Sequence, residues 1–138
     1  KELFFTDVEG KTKDEVLKNL CRKVEKEKGL PETFTASVLK REELTPTDYG
    51  NLVALPHPER AFQERAFVAV AVLKEPVFWF RQKVQVVFLT AIGREEDENL
   101  QQFYEATTDL ILRPADVQNL IRHPDYDRLI QLLRRAEE

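Results

Sequence analysis

The sequence has few of the residues that build disulfides and multi-cysteine metal sites. Its 138 residues include one cysteine, two histidines, four glycines and no methionine. A single cysteine excludes an internal disulfide and suits a reducing compartment, so we expect a cytoplasmic protein. Because Cys21 falls on an apolar helical stripe, we expect it to pack in the core rather than to act as a nucleophile.

Other absences exclude several functional classes. The four glycines are isolated, so the sequence has no glycine-rich phosphate loop, and neither histidine lies in an HExxH-like frame that would indicate a zinc site. No run of 18 apolar residues and no signal-peptide pattern occurs, so we expect no membrane segment. The net charge is −4, and no basic cluster with interleaved aromatics predicts nucleic-acid binding.

Length and composition predict one domain. A chain of 138 residues with 42% hydrophobic residues can bury a core but is too short for two ordinary domains. Because the chain begins at Lys1 and lacks methionine, we expect residues 1–138 to be one domain excised from a longer protein.

Helices are predicted at both ends of the chain. A capping box at Thr12 opens a helix that ends near Gly29, and Pro31 opens a shorter helix up to residues 41–43. From Asp97 onward the apolar residues follow a helical period and indicate three more helices, the second of which begins at residue 114.

Strands are predicted in the middle of the chain. Residues 52–55, 67–73 and 84–92 are apolar runs, and the last two are continuous enough to lie centrally in a sheet covered on both faces. Residues 76–80 are expected to form an edge strand and residues 3–5 a fifth strand, whereas residues 45–51 resemble a turn. The pattern predicts an α/β (α+β) fold with a mixed sheet of about five strands flanked by about five helices.

His57 is the residue best suited to chemistry. It follows a strand and lies between Pro56 and Pro58, which fix the backbone on both sides of the imidazole. Ligands of open α/β sheets bind at such strand ends, and a neutral imidazole is a nucleophile. Chemistry alone leaves open the alternative that His57 is a turn residue. Gln85 and Thr90 are candidates to face the same site, and His123 is expected to be structural or exposed.

Residues 39–57 resemble the phosphorylation site of a known family. The strings Leu-Lys-Arg-Glu-Glu-Leu-Thr-Pro-Thr at 39–47 and Gly-Asn-Leu-Val-Ala-Leu-Pro-His at 50–57 are similar to those of fructose/mannitol-type (type 2) EIIA domains of the sugar phosphotransferase system. The resemblance extends over nearly the whole chain. It implies that His57 is the phosphoacceptor, that HPr and EIIB are partners, and that no metal or organic cofactor is needed. It also implies that Arg41 contacts the phosphoryl group, the alternative being a solvated cation at a helix end.

The chain departs from the family pattern at two positions. The family places a second histidine at the start of the helix after the long central strand, where this chain has Asn99 in the first turn, behind Asp97 as the expected N-cap. An amide can donate a hydrogen bond but cannot become cationic, so we expect weaker phosphoryl stabilisation. Pro58 replaces a common glycine and, together with Asn51, makes the chain most similar to the EIIA-like domains of BglG-type antiterminators and related activators.

Three functions follow from this resemblance. The first is a phosphorylated sensor domain that works with the other domains of a parent regulator, the second is an EIIA phosphocarrier of a sugar permease that passes phosphate to EIIB, and the third is a degenerate interaction module without phosphorylation. Carboxylates close in sequence to the candidate site also predict an acidic rim that attracts a basic donor, with a solvated acidic surface as the alternative. These carboxylates are Glu42, Glu43, Asp48, Glu59, Glu64 and residues 95–98.

Overall fold

A computed structural model describes residues 2–96 and 98–134 of the chain. In that part of the chain, strands and helices follow in this order: β1 (Phe4–Phe5), α1 (Lys13–Lys28), α2 (Thr33–Leu44), β2 (Asp48–Gly50), β3 (Val53–Ala54), β4 (Phe67–Phe78), β5 (Lys83–Ala91), α3 (Glu98–Ile111), α4 (Pro114–Arg122) and α5 (Tyr126–Arg134).

The strands form one mixed sheet in the order β1-β4-β5-β3-β2. The β1–β4 and β3–β5 pairs are parallel, whereas β4–β5 and β2–β3 are antiparallel. Apolar residues of α1 and α2 pack on one face, and those of α3, α4 and α5 pack on the other. This architecture confirms the predicted fold class.

The two longest strands are buried from both sides. In β4, Ala69 and Ala71 belong to the cluster beneath α1 and α2, whereas Val70 and Val72 belong to the cluster beneath α3 to α5. Successive side chains of a strand point to opposite faces, so a continuous apolar run supplies both clusters at once. The predicted central position of these two strands is confirmed.

The strand prediction is wrong at two places, residues 76–80 and residues 48–50. Residues 76–80 do not form a separate edge strand, because β4 continues to Phe78 and its end pairs with the start of β5, where Val77 lies opposite Val84. A register irregularity between Val72 and Val77 surrounds Pro76, and such bulges tolerate a proline.

The stretch expected to be only a turn contains the edge strand β2. The turn proper is limited to Asn51 and Leu52, which have positive φ angles of 50° and 70°. The Asn51 amide donates to the carbonyl oxygen of Ile111, which ties this turn to the end of α3. Asparagine tolerates the left-handed region, but a leucine there is uncommon and depends on its surroundings.

Local signals place α1 and its cysteine as expected. Thr12 Oγ1 accepts from the Glu15 N–H at 3.2 Å, and Gly29 closes the helix with a left-handed φ of 66°. Cys21 is fully buried on the apolar face of α1, which confirms its predicted place in the core. This burial raises the pKa of the Cys21 thiol.

Asp97, the expected N-cap of α3, lies outside the described residues. No helix among the described residues is long and apolar enough to cross a membrane.

Candidate functional site

The loop that carries His57 is attached to both the sheet and α2. Pro56 continues from β3 along β5, and its carbonyl oxygen accepts the Thr90 N–H at 3.0 Å. On the other side of the histidine, the Glu59 N–H donates to the Ser37 hydroxyl of α2 at 2.7 Å. The prolines on both sides of His57 are buried, while His57 itself is half-buried. The backbone is therefore held in place and the imidazole remains accessible.

The His57 ring has a defined backbone partner. Its Nδ1 lies 3.4 Å from the carbonyl oxygen of Leu55. A carbonyl oxygen can only accept, so this long contact favours the tautomer with the hydrogen on Nδ1. In that tautomer the lone pair is on Nε2, which is then the nucleophilic nitrogen.

Arg41 lies on the side of α2 that contacts the histidine loop. It follows Ser37 by four residues, and residues at that spacing share a helix face. Its Nη1 donates to the carbonyl oxygen of Thr45 at 3.4 Å, a long bond at the C-terminal end of its own helix. This position fits a helix-end cation, on the same helix face as the Ser37 hydroxyl that bonds the histidine loop.

Asn99 is an exposed residue in the first turn of α3, as predicted. One turn later, the Tyr104 hydroxyl donates to Thr90 Oγ1 at 3.0 Å, and Phe103 contacts Phe88 edge-to-face with ring centroids 5.8 Å apart. These contacts lay the N-terminal half of α3 over the end of β5 to which Pro56 is bonded. The helix start is therefore directed toward the part of the sheet that carries His57.

The two other candidates from β5 have different positions. Thr90 lies at the histidine end of the strand, but its hydroxyl is bonded to Tyr104 and its N–H to Pro56. Gln85 is buried, and its amide donates to the carbonyl oxygen of Leu73 at 2.9 Å. Gln85 therefore links β5 to β4 and does not face the site.

The expected acidic rim is wrong for two of its members. Glu42 is 1% exposed and Asp48 is 8% exposed. Glu42 accepts from Thr47 and from the Trp79 indole N–H, and Asp48 Oδ2 accepts three successive backbone N–H groups of residues 80–82. Both carboxylates are used inside the fold, where hydrogen bonds offset the cost of burying them.

Basic residues accompany the remaining carboxylates. Glu59 lies 4.0 Å from Lys40, and Glu64 lies 3.0 Å from Arg94. Glu95, Glu96 and Asn99 line a shallow pocket together with Arg65. Surface pairs of this kind contribute little energy, but they make the charge near Asn99 mixed rather than uniformly acidic.

Thr47 is a buried residue whose contacts are not predicted from the sequence. Thr47 is 1% exposed; its hydroxyl contacts the Glu42 carboxylate and also accepts the Leu55 N–H at 3.0 Å. The only signal in the sequence was a threonine and a glutamate shortly before the Pro-His pair, and those residues had been assigned to a turn and to the rim.

The second histidine, His123, lies at the C-terminal end of α4. His123 is exposed and follows α4, where its N–H donates to the carbonyl oxygen of Asn119 at 2.9 Å. The expectation that it is exposed is confirmed. Among residues 2–96 and 98–134, no group of three or more histidine, cysteine, aspartate or glutamate side chains is arranged to hold a metal ion.

Comparison with known sequences assigns the family. Residues 1–136 match the family described as phosphoenolpyruvate-dependent sugar phosphotransferase system, EIIA 2. The probable licABCH operon regulator of Bacillus subtilis is 36% identical over 129 residues, which are 94% of this chain and 20% of the regulator. The transcriptional regulator ManR of the same organism is 27% identical over 120 residues, which are 87% of this chain and 18% of ManR. The chain thus spans about a fifth of the length of these relatives.

A solved structure has the same fold. Enzyme IIAMTL of Escherichia coli, determined in complex with phosphorylated enzyme IIBMTL, superposes with a TM-score of 0.76 at 19% sequence identity. The match covers 94% of this chain and 93% of that chain. At this identity the similarity establishes the fold and not the activity.

Proposed function

The chain belongs to the EIIA type-2 family of the phosphoenolpyruvate-dependent sugar phosphotransferase system, and we propose that it is the phosphorylated sensor domain of a sugar-operon transcriptional regulator. In this proposal His57 accepts a phosphoryl group from phospho-HPr or from EIIB. The observation that carries it is the Nδ1 contact of His57 with Leu55, which leaves Nε2 nucleophilic on a backbone held at both sides.

The chemistry needs no cofactor from the protein. With phospho-HPr as the donor, the Nε2 lone pair of His57 attacks the phosphorus atom of the HPr phosphohistidine. As the new N–P bond forms, the N–P bond of HPr breaks and its electron pair returns to the HPr imidazole. The proton stays on His57 Nδ1 and is directed at the Leu55 carbonyl oxygen, which stabilises the positive charge that the His57 ring acquires.

Two residues are proposed to hold the transferred group. Arg41 offers a planar, charged guanidinium to the phosphoryl oxygens. Asn99 contributes a neutral amide from the first turn of α3, where the positive end of the helix dipole also favours an anion. The donors and the other domains of the parent regulator are then the partners, in the cytoplasm.

The regulatory role is favoured by the relatives. Two regulators match nearly the whole chain over less than a quarter of their own length, so this domain type occurs within long regulatory proteins. The alternative is an EIIA phosphocarrier of a permease, which is supported by the shared fold with an EIIA that was solved together with its phosphorylated EIIB. A regulator domain that takes its phosphoryl group from phospho-HPr should retain it when unphosphorylated EIIB is added, whereas a carrier should pass it on quickly.

The central experiment is phosphorylation in vitro. Incubation with phosphoenolpyruvate, enzyme I and HPr should add one acid-labile, base-stable phosphoryl group, detected by intact-mass spectrometry. His57→Ala should abolish this addition, and His123→Ala should leave it unchanged. Phosphorylation that persists in His57→Ala would place the acceptor elsewhere, and an unmodified wild-type chain would favour the degenerate interaction module.

A further inference from the structure

Thr47 connects a buried carboxylate to the backbone that holds the His57 ring. The Thr47 hydroxyl lies 2.7 Å and 2.9 Å from the two oxygens of Glu42, and it accepts the Leu55 N–H at 3.0 Å. The carbonyl oxygen of Leu55 is in turn the partner of His57 Nδ1 at 3.4 Å. Hydrogen bonds therefore connect Glu42 to the Leu55 N–H, and the backbone of Leu55 connects that N–H to the carbonyl oxygen that contacts the imidazole.

The carboxylate determines how the Thr47 hydroxyl is oriented. The groups bonded to Glu42 are donors: the N–H and O–H of Thr47 and the indole N–H of Trp79, the last at 2.9 Å. With its hydrogen directed at an acceptor, the hydroxyl presents lone pairs to Leu55. Since Glu42 and Thr47 are each 1% exposed, water does not compete for these bonds.

The last contact in the series is sensitive to small displacements. At 3.4 Å, the Nδ1 to oxygen distance already exceeds the usual range for an N–H···O bond. A displacement of Leu55 by about half an ångström would break it. The side chain that holds the Leu55 N–H therefore influences which ring nitrogen carries the hydrogen.

We propose that Thr47, held in place by Glu42, is a positioning residue that keeps His57 in the Nδ1–H tautomer and so keeps Nε2 ready for phosphoryl transfer. The role in transfer rests on the proposed function. The effect on the tautomer does not, because it concerns the unphosphorylated ring.

Nitrogen-15 NMR of the unphosphorylated chain tests the proposal directly. In the wild type, the His57 shifts should show Nδ1–H as the main neutral tautomer. Thr47→Val keeps the shape but removes the hydroxyl that accepts the Leu55 N–H at 3.0 Å, leaving only the longer contact of that N–H with the Thr47 carbonyl oxygen at 3.4 Å. The ratio of Nδ1–H to Nε2–H should fall by about three- to tenfold. Thr47→Ser should restore the wild-type ratio, and the rate of phosphorylation by phospho-HPr should change in parallel.

Asp48→Ala is the matched control. Asp48 is the next buried carboxylate along the chain, but its side chain bonds residues 80–82 and not Leu55. Its loss should destabilise the fold without changing the tautomer ratio. The proposal is overturned if Thr47→Val leaves the ratio unchanged, or if Asp48→Ala shifts it equally. It is overturned without any variant if wild-type His57 is mainly Nε2–H. A tautomer shift in a chain that HPr cannot phosphorylate would contradict the proposed function alone.

Discussion

The two ends of β5 are held differently. At its N-terminal end, where β4 turns into β5 (the hairpin end), the Asp48 carboxylate accepts three backbone N–H groups, and the Trp79 indole is bonded to Glu42. At the opposite end, Pro56 and Thr90 are joined through the backbone, while His57 and Asn99 keep accessible side chains. Both ends are held by hydrogen bonds. Only the second holds its loop mainly through backbone groups and a serine hydroxyl, so the His57 side chain is not used to hold the loop.

The largest expected effect is at the hairpin end. Asp48→Ala leaves the N–H groups of Phe80, Arg81 and Gln82 without their acceptor, so it should lower the free energy of unfolding by about 2–3 kcal/mol. The melting temperature should fall by roughly 5–10 °C, measured by calorimetry. Below the transition, phosphorylation by phospho-HPr should be unchanged. A lower rate in the folded variant would mean that the two ends are coupled.

Arg41→Gln tests the charged donor at the histidine end. A charge-assisted bond to the phosphoryl group is worth about 1.5–3 kcal/mol, so the equilibrium level of phosphorylated chain against phospho-HPr should fall about ten- to hundredfold. Lys40→Gln is the matched control, because Lys40 is the preceding residue and its 4.0 Å partner is Glu59. Equal losses in both variants would indicate a general electrostatic field in place of a direct contact.

Asn99 should have the smallest effect. Asn99→His supplies a donor that can become cationic, so the phosphorylated form should live longer by about tenfold or less. Asn99→Ala should shorten the lifetime, and the melting temperature should change little because the side chain is exposed. Both lifetimes can be followed by the decay of the phosphorylated mass. If neither variant changes the decay, Asn99 is an ordinary polar residue of the first helical turn.

Much of this could be predicted from short-range patterns. The capping residue Thr12 and the terminal Gly29 delimit α1 because caps act through neighbouring backbone groups. The apolar runs of β4 and β5 identified the central strands, since a strand buried on both faces needs apolar residues at successive positions. His57 was recognisable because its two prolines are adjacent to it in the chain.

Other features depend on residues that are distant in sequence. Glu42 has one partner close in sequence, Thr47, but it is also bonded to Trp79, which is 37 residues away, and this contact is not visible from the sequence. The strand β2 was mistaken for a turn, since a three-residue edge strand exists only through pairing with β3. The acidic rim was overestimated for the same reason. Glu42 and Asp48 are buried because they bond residues of the β4–β5 hairpin, and the sequence around them does not show those bonds.

The chain's local patterns were sufficient to specify the two central strands, the first helix and the histidine between two prolines, because each depends on neighbours within a few residues. Only the tertiary structure decided which atom the His57 Nδ1 contacts and which carboxylates are buried. Glu42 is bonded to Trp79, which is 37 residues away, and Asp48 to residues 80–82, so these bonds form only when the sheet has been assembled.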